Sequence, residues 1–184
     1  RNILANPDHE LYKDIQVIKE GKLVSDEIVN SVVREGLREP QYKNGVIFDG
    51  YPRTVAQAEA LDKMLDAMGE KVDVIIDIQV TREVLLGRLL GRRSCPNCKR
   101  IFHISDGIES CPDCDMPLVQ RDDDNEETIM ERFEEYKVKT APLHDFYKSR
   151  NTNYIEVTVT ESARTAPSVN QEIMDRLGEL GLVK

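Results

Sequence analysis

The sequence predicts an α/β protein in which a parallel sheet is flanked by helices and interrupted by a cysteine-rich insertion. Strand-like and helix-like patterns alternate through most of the 184 residues, and repeated strand–helix units imply a parallel sheet with helices on both sides. One strand, KVDVIIDIQV at 71–80, contains a continuous apolar run, which is typical of burial on both faces. All four cysteines fall within RSCPNCKRIFHISDGIESCPDCDMP at 93–117, which breaks the alternation.

The first half of the chain contains four further predicted elements. ELYKDIQVIKEG at 10–21 has apolar residues near helical spacing and ends at a glycine. Ser25 is predicted to cap a second helix that reaches about Glu39, with acidic residues in its first turn. NGVIFDG at 44–50 is predicted to be a short buried strand that ends in a glycine turn. TVAQAEALDKMLDAMG at 54–69 is amphipathic and predicts a helix that ends at its last glycine.

Helices are predicted on both sides of the insertion. TREVLLGRLLGRR at 81–93 precedes it, and EETIMERFEEYKVKTAPLHDFYKS at 126–149 follows it. Asp124 and Glu127 are predicted to form a capping box for the second of these helices, and Pro142 is expected to kink it. An insertion at the carboxyl ends of such strands is expected to cover a substrate. The chain closes with a predicted strand and a predicted helix, NYIEVTVT at 153–160 and PSVNQEIMDRLGELG at 167–181.

Composition excludes some function classes. The formal net charge is -9, and so acidic a chain is a poor non-specific ligand for nucleic acid, which requires an excess of Lys and Arg. No apolar run approaches the roughly 18 residues that span a bilayer, and no signal peptide is visible in the first residues. We therefore expect a cytoplasmic protein that binds neither membranes nor nucleic acid, and we expect it to be a monomer.

The cysteines are spaced as two C-x2-C pairs, which is the pattern of a tetrahedral zinc site. Four thiolates fill the coordination sphere and leave no open position, so a structural zinc is expected rather than a catalytic one. A redox site would need only one such pair at the start of a helix. A segment of about 30 residues cannot bury a sufficient core, and a metal can take the place of that core. The predicted ligands are Cys95, Cys98, Cys111 and Cys114.

Arginines border the insertion on both sides, and another arginine follows the predicted strand at 44–50. Guanidinium groups match phosphate oxygens in a bidentate geometry, so a group of them in an acidic protein indicates a polyphosphate or phosphoryl-transfer site. Taken singly, each arginine can also be explained as part of a solvated turn or helix end. The candidates are Arg53, Arg88, Arg92, Arg121 and Arg132. Asp49 lies at a predicted strand end, where a carboxylate can support Mg²⁺.

These residues together resemble a known family, the bacterial adenylate kinases of the zinc-containing type, over essentially the whole chain. The resemblance implies a P-loop NTPase-like parallel sheet with an inserted zinc-binding lid and a partial AMP-binding segment. It also implies reversible transfer of a phosphoryl group from MgATP to AMP, giving two ADP, in adenine nucleotide homeostasis. The matching segments are GKLVSDE at 21–27, FDGYPRTVAQAEALD at 48–62, GRR at 91–93, QRDDDNEET at 120–128, ERF at 131–133 and TAPLHDFY at 140–147. The implied divisions are 1–24 (partial AMP-binding segment), 25–90 (core), 91–124 (lid) and 125–184 (core).

The resemblance assigns residues to the AMP side, the ATP side and the reacting phosphates. On the AMP side, Arg1 resembles the family's first AMP-phosphate arginine. The strip that holds adenine and ribose is matched by Lys22, Leu23 and Val24. The AMP loop is matched by Gly50, Tyr51, Pro52, Arg53 and Gln57. Within that loop, the resemblance implies that Arg53 meets the phosphate and Gln57 meets the adenine edge. On the ATP side the matching residues are Arg88, Arg92, Ile101 and Phe102. The resemblance also implies that Arg121 and Arg132 clamp the transferring phosphoryl group, that Asp123 and Asp124 lie at the lid hinge, and that Asp49 is the magnesium-side carboxylate.

Two features depart from the family pattern. The P-loop, G-x-x-x-x-G-K-[ST], does not occur in the 184 residues, and we expect it in roughly 30 residues ahead of Arg1. A polypeptide that began at Arg1 is expected to bind ATP poorly and to show almost no turnover. The lid tract HISDGIES is also shorter than in relatives with a longer lid. The alternatives are a nucleoside monophosphate kinase with another acceptor such as UMP or CMP, a non-catalytic paralogue, and a zinc-ribbon nucleic-acid-binding protein.

Overall fold

The computed structural model describes residues 8, 10–12, 25–150, 152–161 and 165–183. The chain forms two compact units, Arg1–Val72 and Asp73–Lys184. Most of the helix predicted at 10–21 lies outside the described residues, as do Arg1 and the strip 22–24.

Two helices form the described part of the first unit. Helix α1 is Asp26–Gly36, and its acidic first turn is favourable at the positive end of the helix dipole. It ends three residues before the predicted Glu39. Helix α2 is Val55–Asp66, and the side chain of Thr54 caps it by accepting a hydrogen bond from the backbone N–H of Gln57. A short 3₁₀ turn at Pro40–Tyr42 lies between the two helices, which pack against each other.

The prediction of a strand at 44–50 is wrong. Residues 45–48 have no regular secondary structure, and Ile47 is 94% exposed. A β-strand requires a neighbouring backbone to satisfy its N–H and C=O groups, and none of the described residues provides one here. The glycine turn that follows is present, with Gly50 at φ +74.

The second unit is built on a parallel pair of strands, β1 (Val74–Val80) and β4 (Asn153–Val159). Both predicted strands are therefore confirmed. Helices α3 (Arg82–Leu90) and α6 (Ala166–Glu179) cover one face. The core between them is formed by Val84, Ile155, Val157, Val159 and Val169.

The apolar run of β1 is less buried than predicted. Ile76 is 41% exposed and Ile78 is 48% exposed, so the expectation of burial on both faces is wrong for this strand. Among the described residues β1 pairs with β4 on one side only, and the side chains along the other edge remain partly open to solvent.

The opposite face of the sheet meets helices α4 (Glu126–Lys139) and α5 (Pro142–Lys148). Helix α4 is capped by Asn125, whose side-chain oxygen accepts a hydrogen bond from the backbone N–H of Thr128. The predicted capping box of Asp124 and Glu127 is therefore wrong. Pro142 does not kink a continuous helix; it begins a new one, where its missing N–H has no consequence. The predicted fold class, an α/β protein with helices on both faces of a parallel sheet, is confirmed.

The insertion leaves the unit after α3 and returns to the same place. Strands β2 (Arg92–Ser94) and β3 (Ile101–His103) pair antiparallel, so the predicted helix ends before the two arginines at 92 and 93. Ser94 also exchanges backbone hydrogen bonds of 2.8 and 3.0 Å with Val119. These contacts join the outgoing and returning segments at the base of the insertion. None of the helices in the described ranges has the length and apolarity that a membrane crossing requires.

Candidate functional site

The turn between Gly50 and α2 is held by hydrogen bonds that its own sequence supplies. The Arg53 guanidinium donates through Nε to the carbonyl of Gly50 at 2.9 Å. The backbone N–H of Arg53 donates to the side-chain oxygen of Gln57 at 2.7 Å. A Cβ at position 50 would lie 3.2 Å from an Arg53 nitrogen, so glycine lets the guanidinium fold back over the turn.

Asp26 joins this turn to the start of α1. Its carboxylate accepts from the Gln57 amide at 2.6 Å and from the Thr54 hydroxyl at 2.9 Å. Tyr51 donates to Asn30 of α1 at 2.7 Å, and burial, followed by the charge of Asp26, raises the pKa of Tyr51 to about 12. The sequence indicated Asp26 only as a favourable first-turn residue. No local pattern indicates its contacts with residues 28 and 31 positions later in the chain.

A buried ion pair closes the base of the insertion. Arg92 donates to both carboxylate oxygens of Asp124, with Nε at 2.8 Å from one of them. Only 1% of the Asp124 side chain and 20% of the Arg92 side chain are exposed. Hydrogen bonding to Asp124 raises the pKa of Arg92 further above its ordinary value, so the guanidinium stays charged. The Gln120 amide donates to the Asp124 carbonyl at 2.7 Å and fixes the returning segment beside the pair.

A second arginine is held beside the first by the neighbouring carboxylate. Arg132 of α4 donates to Asp123 at 2.8 Å. Its guanidinium holds the pKa of Asp123 below the usual range, and the charge of Arg92 adds to the effect. Two adjacent aspartates therefore bring together Arg92 and Arg132 from opposite borders of the insertion. This pair is more exposed than the first, with 54% of the Arg132 side chain accessible.

His103 docks the insertion onto the end of α3. Its Nδ1 accepts from the backbone N–H of Ser105 at 3.2 Å, which leaves Nε2 to donate to the Gly87 carbonyl at 3.2 Å. The ring also occupies the space above Gly91, where a Cβ would lie 1.9 Å from Nε2. Glycine is therefore required at position 91, and His103 is a contact residue at this junction.

The four cysteines converge at the outer end of the insertion. The Sγ–Sγ distances are 3.8 Å for Cys95–Cys114, 3.7 Å for Cys98–Cys111 and 3.7 Å for Cys111–Cys114. A tetrahedron of sulfurs about 2.3 Å from a central zinc has edges of about 3.8 Å, so the residues present fit the ion. Burial would raise the pKa of Cys95, but the backbone N–H groups of Cys98 and Asn97 outweigh it and bring the pKa to about 7.

The two C-x2-C segments form the same turn twice. Each first cysteine accepts through its carbonyl from the residue four positions later, at 3.1 Å from Lys99 and 2.9 Å from Asp115. Each first cysteine also donates its N–H to the carbonyl of the residue five positions later. Lys99 and Asp115 both adopt positive φ, 64 and 52, which lets the two chains curl around the sulfurs.

Comparison with known proteins identifies the family. The family model described as adenylate kinase matches residues 8–152. The adenylate kinase of Caldicellulosiruptor bescii is 40% identical over 169 residues, which are 89% of this chain and 76% of the relative. The chain belongs to the adenylate kinase family. Two other adenylate kinases, from Moorella thermoacetica and Archaeoglobus fulgidus, are 46% and 41% identical over 72% and 76% of this chain.

The chain spans 76%, 63% and 66% of the length of these three adenylate kinases. The family predicted from the sequence motifs, and with it the kinase class of enzyme, is confirmed. The alternatives, a nucleic-acid zinc ribbon and a kinase with another acceptor, receive no support from the comparisons.

The structure places the other predicted residues of this adenylate kinase chain as follows. Arg88 lies on α3, and Arg121 is exposed ahead of the paired aspartates. Ile101 is 57% exposed on β3, and the Arg100 guanidinium lies 5.3 Å from the centre of the neighbouring Phe102 ring. Asp49 is exposed, and its carboxylate is the kind of oxygen donor that Mg²⁺ prefers.

Proposed function

We propose that this protein catalyses the reversible reaction MgATP + AMP ⇌ 2 ADP. A phosphate oxygen of AMP forms a bond to the γ-phosphorus of ATP, and the bond from that phosphorus to the β–γ bridging oxygen breaks. The β-phosphate leaves as ADP, and no side chain forms a covalent bond. The observation that carries the proposal is the pair of arginines, Arg92 and Arg132, held side by side by adjacent aspartates at the base of the lid.

The arginines supply positive charge where negative charge is transferred. Their guanidinium groups are already charged and oriented, so little reorganisation is needed when phosphates arrive. The exposed Arg132–Asp123 pair is the easier to exchange, because solvent already screens it. We propose that Arg132 turns from Asp123 to the transferring phosphoryl group, while Arg92 stays anchored to Asp124 and presents its remaining N–H groups. Arg88 and Arg121 complete this set.

The AMP side is proposed to lie at the turn before α2. Arg53 lies across that turn, with Nε bonded to the Gly50 carbonyl, and its guanidinium is proposed to bind the AMP phosphate. Gln57 is buried and bonded to Asp26, so contact with adenine requires Gln57 to exchange that bond. The remaining proposed AMP residues are Arg1, Lys22, Leu23, Val24, Gly50, Tyr51 and Pro52.

The proposed metal roles differ. Magnesium accompanies ATP and neutralises phosphate charge when bound, with Asp49 as the nearby carboxylate. Zinc is proposed at Cys95, Cys98, Cys111 and Cys114, where the sulfur spacing fits a tetrahedral ion. Its role is structural, stabilising a lid at 91–124 that has little core of its own. Ile101 and Phe102 on that lid are proposed to meet ATP.

Four free cysteines at metal spacing favour a reducing, cytoplasmic location. We propose a monomer with ATP, AMP and ADP as ligands.

The decisive experiment measures ADP formation from ATP and AMP. It uses these 184 residues preceded by a segment with the G-x-x-x-x-G-K-[ST] motif, which does not occur within them. Arg53→Ala and Arg132→Ala are each expected to lower kcat/KM by about 100-fold or more, because each removes a phosphate contact made in the transition state. Thermal unfolding should change little, since both side chains are exposed.

Two arginine variants serve as matched controls. Arg38→Ala and Arg82→Ala remove exposed arginines outside the proposed site and should leave turnover unchanged. Near-wild-type activity in Arg53→Ala or Arg132→Ala would remove that residue from the site. Replacing AMP by UMP or CMP in the same assay tests the acceptor, and equal rates with all three would reject AMP specificity.

A further inference from the structure

Three side chains with metal-binding atoms converge on the face of the sheet that meets α4 and α5. Asp77 lies on β1, Glu156 on β4 and His144 on α5. One ligand atom from each lies within 4.8 Å of the other two, and all three residues are partly buried. A nitrogen and two carboxylate oxygens from three different elements form a donor set that suits a divalent transition-metal ion.

The imidazole of His144 is oriented by a carboxylate on its outer side. Nδ1 lies 3.2 Å from Asp145, and Nε2 lies 3.2 Å from Glu156. In a neutral imidazole only one nitrogen carries a proton. If Nδ1 donates to Asp145, then Nε2 and the Glu156 oxygen are two acceptors in contact, and a proton or a metal ion between them makes that contact favourable. A carboxylate behind the imidazole is also the usual partner of a metal-binding histidine.

Asp77 is oriented as well. The Gln79 amide and the Tyr154 hydroxyl donate to the same carboxylate oxygen, Oδ2, at 3.0 and 2.9 Å. These contacts fix the orientation of the carboxylate. The parallel register sets Asp77 directly opposite Glu156, and like charges opposite each other in a sheet repel. A cation between the two carboxylates would remove that repulsion.

Lys148 supplies one positive charge but does not balance the group. Its Nζ lies 2.7 Å from Glu156. With a neutral imidazole, the carboxylates of Asp77 and Glu156 together with this ammonium retain one negative charge, which favours a cation at this position. We propose that Asp77, His144 and Glu156 bind a divalent transition-metal ion, and that Lys148 competes with it for Glu156. This site is independent of the proposed phosphoryl transfer.

Zinc binding to the 184-residue protein tests the proposal. Equilibrium dialysis with metal analysis should find two zinc ions per chain, one of them bound more weakly than the ion at the cysteines. His144→Gln should bind one ion, and Glu156→Gln provides a second variant if His144→Gln does not fold. Lys148→Met should bind the weaker ion several-fold more tightly, because the competing ammonium is gone. Nitrogen NMR of the imidazoles should show zinc on Nε2 of His144.

His103→Gln is the matched control, since this histidine lies in the insertion, and it should keep both ions. One zinc ion in the wild-type protein would overturn the proposal and assign the Nε2 contact to a proton. Two ions in both His144→Gln and Glu156→Gln would also overturn it. So would a Lys148→Met variant that bound the weaker ion no more tightly than the wild type.

Discussion

The buried carboxylate of Asp124 fixes the position of Arg92 at the base of the insertion. It accepts two hydrogen bonds from Arg92, while the exposed carboxylate of the next residue back accepts one from Arg132. The two pairs differ in burial, and burial decides what each contributes. A buried charge that loses its partner destabilises the protein, whereas an exposed charge that loses its partner is solvated by water.

Arg92→Met is therefore expected to lower the free energy of unfolding by about 2 to 3 kcal/mol, because it leaves Asp124 buried and unpaired. Adding Asp124→Asn should recover part of the loss by removing the charge. Urea denaturation of the single and double variants measures both effects.

The control for this prediction is Arg100→Met. It breaks the pair with Asp113, in which both side chains are 55% exposed, and should change stability little. An equal loss from Arg92→Met and Arg100→Met would contradict the role of burial.

The sequence predicted candidate residues better than their contacts. The arginines at 92 and 132 and the four cysteines were identified from charge and spacing. Asp26 and His103 were not identified as contact residues, because their partners depend on how separate elements pack. The carboxylate at 124 was interpreted as a helix cap because it precedes a helix, yet its oxygens are bonded to an arginine 32 positions earlier.

At the scale of elements, the junction between α3 and the insertion depends on a glycine, which leaves room for a neighbouring ring. Gly91 ends the helix, and the His103 ring fills the space that a Cβ would occupy. The backbone N–H of Ile104 also donates to the Gly91 carbonyl at 2.8 Å. Helix and insertion therefore meet in a tight contact with no space for a larger residue.

Gly91→Ala is expected to destabilise the protein by about 1 to 3 kcal/mol, because the imidazole must move and lose its bond to the Gly87 carbonyl. His103→Ala in the same chain should recover part of that loss, since it removes the clash. Thermal unfolding of the three variants is the measurement.

Gly87→Ala is the matched control within α3. A Cβ there meets nothing within 4 Å, so the change should be neutral or stabilising by up to about 1 kcal/mol. If Gly91→Ala were as stable as Gly87→Ala, the tight contact would be disproved.

The prediction of helices and strands succeeded where periodicity and length agreed. It failed where the structure of a segment depends on whether another strand pairs with it. The amphipathic pattern of α2 and the β-branched pattern of β4 specify their elements locally. Residues 44–50 have the composition of a strand but no described neighbour to pair with. Arg92 and Arg93 continue a helical pattern, yet they pair with β3, because tertiary contacts override local propensity.

At the scale of the whole molecule, the parallel sheet and its helices could be predicted because alternating patterns restrict the topology to few choices. The polar character of one sheet face could not be predicted. Asp77 and Glu156 become neighbours only through the register between two strands that lie far apart in the chain.

Removing the proposed zinc ion should affect one part of the molecule. After chelation, with metal loss confirmed by analysis, backbone hydrogen exchange should rise across residues 92–119, because the insertion has few apolar contacts of its own. Exchange in α2, which belongs to the other compact unit, should be unchanged. Mass spectrometry of peptides from both regions makes the comparison. Unchanged protection at 92–119 would refute a stabilising metal, and equal loss in both regions would refute a local one.

The paired backbones of Ser94 and Val119 have an evolutionary consequence. Because they and the Arg92–Asp124 pair hold the two ends of the insertion together, the rest of the protein meets the same two attachment points whatever lies between them. Residues 95–118 can then be lengthened, shortened or exchanged as a cassette without shifting the register of the sheet. Descendants of this protein can change the insertion while leaving the rest of the chain unaltered.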